Sequence, residues 1–145
     1  MRRFRFSLEV ALHVRDRAVE AAEIAVRQVH GELLANQDRQ RRLADEVRTE
    51  EESVRAAPVN PDDFAALGRY RMAARRQAMR LTREAAAIQG RLAEKQQVLQ
   101  KAERDRTLLV RLKEKAQSRW DQEFEKEQQQ LAEEAYLSRW HTTHG

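Results

Sequence analysis

The sequence predicts an all-α fold in which two long helices form an antiparallel coiled-coil hairpin, with the C-terminal part of the second helix overhanging the first. Three observations carry this expectation. Ala, Glu, Arg, Gln, Leu and Lys dominate, and these are the side chains that lose least freedom in a helix. Only four glycines and two prolines interrupt 145 residues. Apolar residues recur every 3.5 positions, the spacing of a narrow seam and a left-handed supercoil.

The first helix is expected over about residues 7–57. Ser7 is placed to cap it, with Phe6 just outside and set to staple onto Ala11. Steps of four and three from Leu8 give Leu12, Arg15, Val19, Ala22, Val26, Val29, Leu33, Asn36, Gln40, Leu43, Val47, Glu50 and Val54. Ten of these fourteen positions are apolar, which sustains the seam over the whole helix. Pro58 then disfavours helix at the residue before it, so the turn falls at 58–61.

The second helix is expected over about 61–140. Asn60 is a good cap, Pro61 fits the first helical position where its missing N–H costs nothing, and Asp62 and Asp63 meet the positive end of the helix dipole. From Ala74 the seam runs through Ala78, Leu81, Ala85, Ile88, Leu92, Lys95, Leu99, Ala102, Arg106, Leu109, Lys113, Ala116 and Trp120. Eleven of those fourteen are apolar, and past Leu109 the spacing drifts towards Leu112, Ala116, Trp120 and Phe124. Folding about the turn sets Leu8 opposite Leu109 and Val110, leaving everything after about Leu112 without a partner in the chain. At 1.5 Å per residue the arms would be roughly 75 Å and 115 Å long. The overhang carries Trp120, Phe124, Leu131, Tyr136 and Trp140, and Trp and Tyr are the residues most enriched at binding hot spots.

Composition excludes several classes of function. Charged residues make up 36% of the chain and aromatic residues 6%, and much of the hydrophobic count is alanine, which buries little area. The 1–145 chain therefore reads as a single elongated hairpin domain. With no cysteine there is neither a disulfide framework nor a thiolate metal site. No run approaches the length of a membrane span, and no apolar stretch follows the N-terminal arginines as in a secretory signal, so a cytoplasmic protein is expected. Walker loops, dinucleotide fingerprints, HExxH and nucleophile elbows are missing from the sequence. Acidic runs such as Glu50-Glu51-Glu52 have no cleft to shift their protonation, and His141 with His144 falls short of a metal site. No enzyme, cofactor, metal or small-molecule substrate is expected.

Net charge is +4 with a pI near 9.8, but 24 acidic residues are interspersed among 28 basic ones. That mixture suits a solvated helical surface. A nucleic-acid-binding hairpin remains a disfavoured alternative, resting on Arg39 to Arg42 and on the local basic face of Arg71, Arg75, Arg76, Arg80 and Arg83. A spacer whose overhang dimerises is another.

The opening FRFSLEVALHVRDRAVEAAE, the turn near residue 60, the stretch LGRYRMAARRQAMRL and the charged final helix together resemble the FliJ family of flagellar export proteins. The resemblance implies an antiparallel coiled coil similar to the central stalk of rotary ATPases, soluble and peripherally associated with the inner membrane at the flagellar base. It implies three partners: the hexameric flagellar export ATPase, the cytoplasmic domain of the export-gate membrane protein, and export chaperones. If the open end of the hairpin enters the ATPase ring, the ATPase contact falls on Arg2, Arg3, Phe4, Arg5 and Phe6 with Trp120 and Phe124, the arginines meeting acidic loops and the phenylalanines an apolar collar. The gate contact falls on an exposed stripe of Tyr70, Ala74, Ala78 and Leu81. The stalk of a virulence-type III secretion injector has the same shape and stands as the alternative.

Overall fold

The computed structural model describes residues 3–56 and 60–144. It holds two helices, α1 over Glu9–Ala56 and α2 over Pro61–His144, and no strand among the described residues. Pro58, Val59 and the rest of the segment between Ala56 and Asn60 lie outside them, so the expected turn is described only at Asn60 and Pro61.

The helix ends follow local chemistry. Asn60 caps α2 as expected: its side-chain oxygen accepts from the Asp62 amide at 3.1 Å, and its carbonyl accepts from Asp63 and Phe64. At α1, Leu8 rather than Ser7 holds the capping position, because the Glu9 amide closes a turn on the Phe6 carbonyl and the first helical bond runs from Leu12 to Leu8. Glu9 then sits in the first turn, where the dipole favours a carboxylate. Helix α2 continues four residues past its expected end. Thr142 and Thr143 donate back to the Ser138 and Arg139 carbonyls, and His144 Nδ1 lies 3.1 Å from the Trp140 carbonyl, which ties down the final turn.

The chain divides into two compact units. The first comprises Met1–Val19 with Lys101–Gly145, the second Glu20–Gln100. In each, a stretch of α1 lies against a stretch of α2.

In the second unit Ala22, Val29 and Asn36 of α1 are buried with Leu67, Leu81 and Ile88 of α2. Half-buried Val26, Leu33, Gln40, Leu43, Val47 and Val54 continue the α1 seam at the expected spacing, whereas Glu50 points to solvent. On α2 the seam begins earlier than Ala74, at Leu67 and Tyr70, and passes exposed Ala78 and Lys95. Ion pairs Glu32–Arg91 at 2.7 Å, Glu51–Arg71 at 3.1 Å and Arg39–Glu84 at 4.0 Å flank it. Exposed pairs of this kind are worth at most about 1 kcal/mol each. Burial of the seam supplies most of the stability.

Asn36 is the one fully buried side chain among the described residues. Its amide nitrogen donates to the Leu81 carbonyl at 3.0 Å and to Glu84 Oε2 at 3.4 Å, while its oxygen accepts from Gln40 Nε2 at 2.6 Å. A satisfied amide of this kind costs little to keep and more to leave half-made. Asn36→Ala is therefore expected to lower stability by about 1–2 kcal/mol, and Asn36→Leu to leave it unchanged or raise it. Thermal melts followed by circular dichroism check both.

In the first unit Leu12 is buried, and Leu109, Val110, Lys113, Ala116, Gln117, Trp120 and Phe124 are half-buried along α2. Leu8, Arg15, Arg106 and Leu112 are exposed, so the expected drift onto Leu112 does not occur. Lys113 keeps the seam position instead, because its ammonium reaches both oxygens of Glu9, at 3.0 and 2.9 Å, while its aliphatic stem covers the seam. Arg15 pairs with Asp105 at 3.4 Å, and Arg106 with Asp16. These contacts set α1 about one helical turn further along α2 than Leu8 facing Leu109 would require.

Candidate functional site

Residues 3–6 precede α1 without helical structure, and along them burial alternates: Arg3 and Arg5 are exposed, Phe4 and Phe6 half-buried. That is the period of an extended chain, one face in and one face out. It turns the sequence Arg-Phe-Arg-Phe into an apolar row beneath a basic one. The Phe4 ring meets Trp120 edge to face, with centroids 6.3 Å apart and planes at 65°. Trp120 in turn stacks on Phe124 at 5.2 Å and 8°. Both geometries are favoured by aromatic quadrupoles. Glu123 and Glu127 flank Trp120 and Phe124 around a small cleft.

Phe4, Trp120 and Phe124, placed at one contact surface from the sequence, thus do come together, with Arg3 and Arg5 beside them. Arg2 lies outside the described residues. The expectation that Trp120 and Phe124 have no partner in the chain is overturned. Non-helical residues 3–8 extend the N-terminal strand of chain along α2 beyond the point where α1 begins, and Phe4 packs on Trp120. Solvent instead receives Leu131, Tyr136, Leu137 and Trp140, all exposed. Trp140 also stacks on His144 at 4.7 Å.

The stripe Tyr70, Ala74, Ala78 and Leu81 does not form one exposed face. Leu81 is only 5% exposed and belongs to the helix pair, because a heptad stripe is the face a coiled coil buries. Tyr70 and Ala74 are half-buried and Ala78 is exposed. Burial pushes the Tyr70 phenol above its ordinary value of 10.0, with the carboxylates of Glu46 and Glu50 adding to the shift, so the ring stays neutral at physiological pH.

Ala74 and Ala78 instead line an open groove of about 540 Å³ between the helices. Leu43, Ala44 and Val47 form its α1 wall, the Glu51–Arg71 pair closes one end, and Gln40 and Thr82 close the other. The alanine-rich start of the second helix, from Ala65 to Ala87, already points from the sequence to a partner groove near the turn, with close helix approach as the competing expectation. The groove's signal was alanine at two successive seam positions, which leaves the volume that larger side chains would fill.

No three His, Cys, Asp or Glu side chains are grouped to hold a metal ion among the described residues, and no helix there is long and apolar enough to cross a membrane. The chain is, by its structure, a two-helix protein whose surfaces offer an aromatic and basic cluster in one unit and an alanine-walled groove in the other. No protein-family model, curated protein or solved structure matches it.

Proposed function

We propose that this chain is the coiled-coil stalk of a flagellar type III export apparatus, a FliJ-like component that binds and stimulates the export ATPase, links it to the export gate and helps escort export chaperones. In this reading the two helices form an antiparallel hairpin with an overhanging C-terminal segment. The reversed order of the ion pairs supports it: α1 residues 9, 16, 32 and 51 meet α2 residues 113, 106, 91 and 71. The protein is non-catalytic, works in the cytoplasm and associates peripherally with the inner membrane at the flagellar base.

The observation that carries the reading is the Arg-Phe-Arg-Phe segment pinned by Phe4 onto Trp120. Pinning pre-pays the ordering of a segment that would otherwise lose entropy on binding, and it holds Arg3 and Arg5 outward towards an acidic ring of subunits. The direct experiment is hydrolysis by the cognate export ATPase with and without this protein, stimulation being the expected result. Arg3→Glu with Arg5→Glu should raise the concentration needed for half-maximal stimulation by about tenfold, equivalent to about 1.4 kcal/mol, without loss of helicity. Unchanged stimulation would remove the N-terminal segment from the ATPase contact.

The groove walled by Ala74 and Ala78 is the reading's gate contact. Ala78→Asp places a charge in it without touching the buried seam. Capture of the gate's cytoplasmic domain should fall sharply while the melting temperature drops by less than about 1 kcal/mol equivalent, the helix-propensity cost alone. Equal capture by the variant would remove the groove from the gate contact.

A further inference from the structure

The face of α2 that points away from α1 in the second unit has a composition that neither the ATPase contact nor the gate groove uses. Between residues 64 and 93 the sequence carries seven arginines and a single carboxylate, Glu84. Arg69, Arg76, Arg80 and Arg83 stand at spacings of seven, four and three, so they share one side of the helix, opposite buried Leu67, Leu81 and Ile88. None of the four makes an ion pair among the described residues. Met72 and Met79 lie along the same side, 62% and 57% exposed. Gly68 and Gly90 leave open space above the backbone at either end. Arginine and methionine are residues that protein interfaces enrich, and a row of arginines on a helix calls for carboxylates opposite.

Matching carboxylates lie on this chain. Residues 121–138 hold six carboxylates and one lysine, and Glu123, Glu125, Glu133 and Glu134 make no ion pair among the described residues. Leu131, Tyr136 and Leu137 are exposed among them, giving apolar groups for the methionines to meet. Both stretches belong to helix α2, so every copy of the chain carries both halves of such a contact. We propose that the arginine–methionine face of α2, formed by Arg69, Met72, Arg76, Met79, Arg80 and Arg83, docks the acidic stretch 121–138 of a second copy of this chain. The contact joins a basic surface to an acidic one, so salt weakens it and charge reversal on either side abolishes it.

The test measures molecular mass in solution by sedimentation velocity, using the full chain freed of nucleic acid. At about 0.05 M salt the mass should rise with concentration from 17.0 kDa towards a dimer, with a Kd of order 10 µM, and the Kd should weaken at least tenfold at about 0.5 M. Two variants are compared, Arg76→Glu/Arg80→Glu/Arg83→Glu and Glu125→Lys/Glu133→Lys/Glu134→Lys. All six positions are exposed, and circular dichroism verifies that helicity is kept. Each variant alone should stay monomeric, and an equimolar mixture should associate again because opposite charges face each other at both contacts. A parent chain that is monomeric at about 200 µM in low salt overturns the proposal. So does either variant associating as the parent does, or a mixture that remains monomeric. Tight capture of RNA, or of vesicles rich in phosphatidylglycerol, that is lost in the arginine variant and kept in the glutamate variant while neither variant changes the mass also overturns it, since the face then serves another anion.

Discussion

Leu81→Asp is expected to dissolve the helix pair of the second unit. Leu81 lies in the seam beside Asn36, whose amide donates to the Leu81 carbonyl, and its side chain is sealed from water. A carboxylate there would be buried without a cation and with Glu84 close by, a defect that costs about 3–5 kcal/mol. Against a total stability of about 5–15 kcal/mol, that is a large share. Thermal and urea melts should show a collapse in midpoint, with Leu81→Ala intermediate at about 2–4 kcal/mol. A midpoint equal to the parent's would mean that Leu81 faces solvent. The result also bears on interpretation: lost gate binding by Leu81→Asp would report unfolding, so the groove is better probed at Ala78.

Trp120→Ala is expected to release the N-terminal segment and, in the proposed stalk role, to abolish stimulation of the export ATPase. Trp120 is the middle of a three-ring stack, edge-on to Phe4 and parallel to Phe124. Its loss removes both contacts, at about 1–3 kcal/mol for a half-buried ring. Residues 3–6 make no helical hydrogen bonds of their own, so the ring contact is their principal tether. Trypsin should then cut sooner after Arg3 and Arg5, and stimulation should drop at least tenfold. Trp120→Phe, which keeps an aromatic face, should retain most of both properties. Stimulation that survives release of the segment would place the ATPase contact elsewhere.

The helices and their seam were legible because the information is periodic and local. A 3.5-residue repeat of apolar residues reports a buried stripe wherever it occurs, and Asn60, Pro61, Asp62 and Asp63 report a helix start through bonds that span four residues. Pairing between the helices was less legible. A coiled-coil stripe can slide by whole turns with little change in its pattern, so the offset depended on Glu9 meeting Lys113 and Asp16 meeting Arg106, long-range pairs that no local pattern encodes. The same gap hides the Phe4 ring partner of Trp120 from any local pattern. The aromatic cluster was half visible: Phe4 and Trp120 were both singled out, but their meeting needed the correct offset. Leu81 shows the opposite failure. A heptad stripe was read once as seam and once as an exposed face, and only one of these can hold. The groove was visible only as the alanine run early in α2; its wall of Leu43, Ala44 and Val47 on α1 needed the pairing of the helices.

Asn36 has a mechanical consequence. An apolar stripe with a seven-residue repeat offers a series of nearly equivalent alignments, like a rack whose teeth fit at every notch. A backbone carbonyl recurs at every notch, but the Glu84 carboxylate that also accepts from the Asn36 amide stands at one notch only, with Gln77 and Arg91 in its place a heptad either way. At any other alignment that partner is lost, at a cost of about 1 kcal/mol, enough to depopulate a slipped alignment by roughly fivefold. A push along α1 in this unit is therefore handed to α2 as force rather than lost as creep. The polar residue that interrupts the stripe acts as a latch between the two helices.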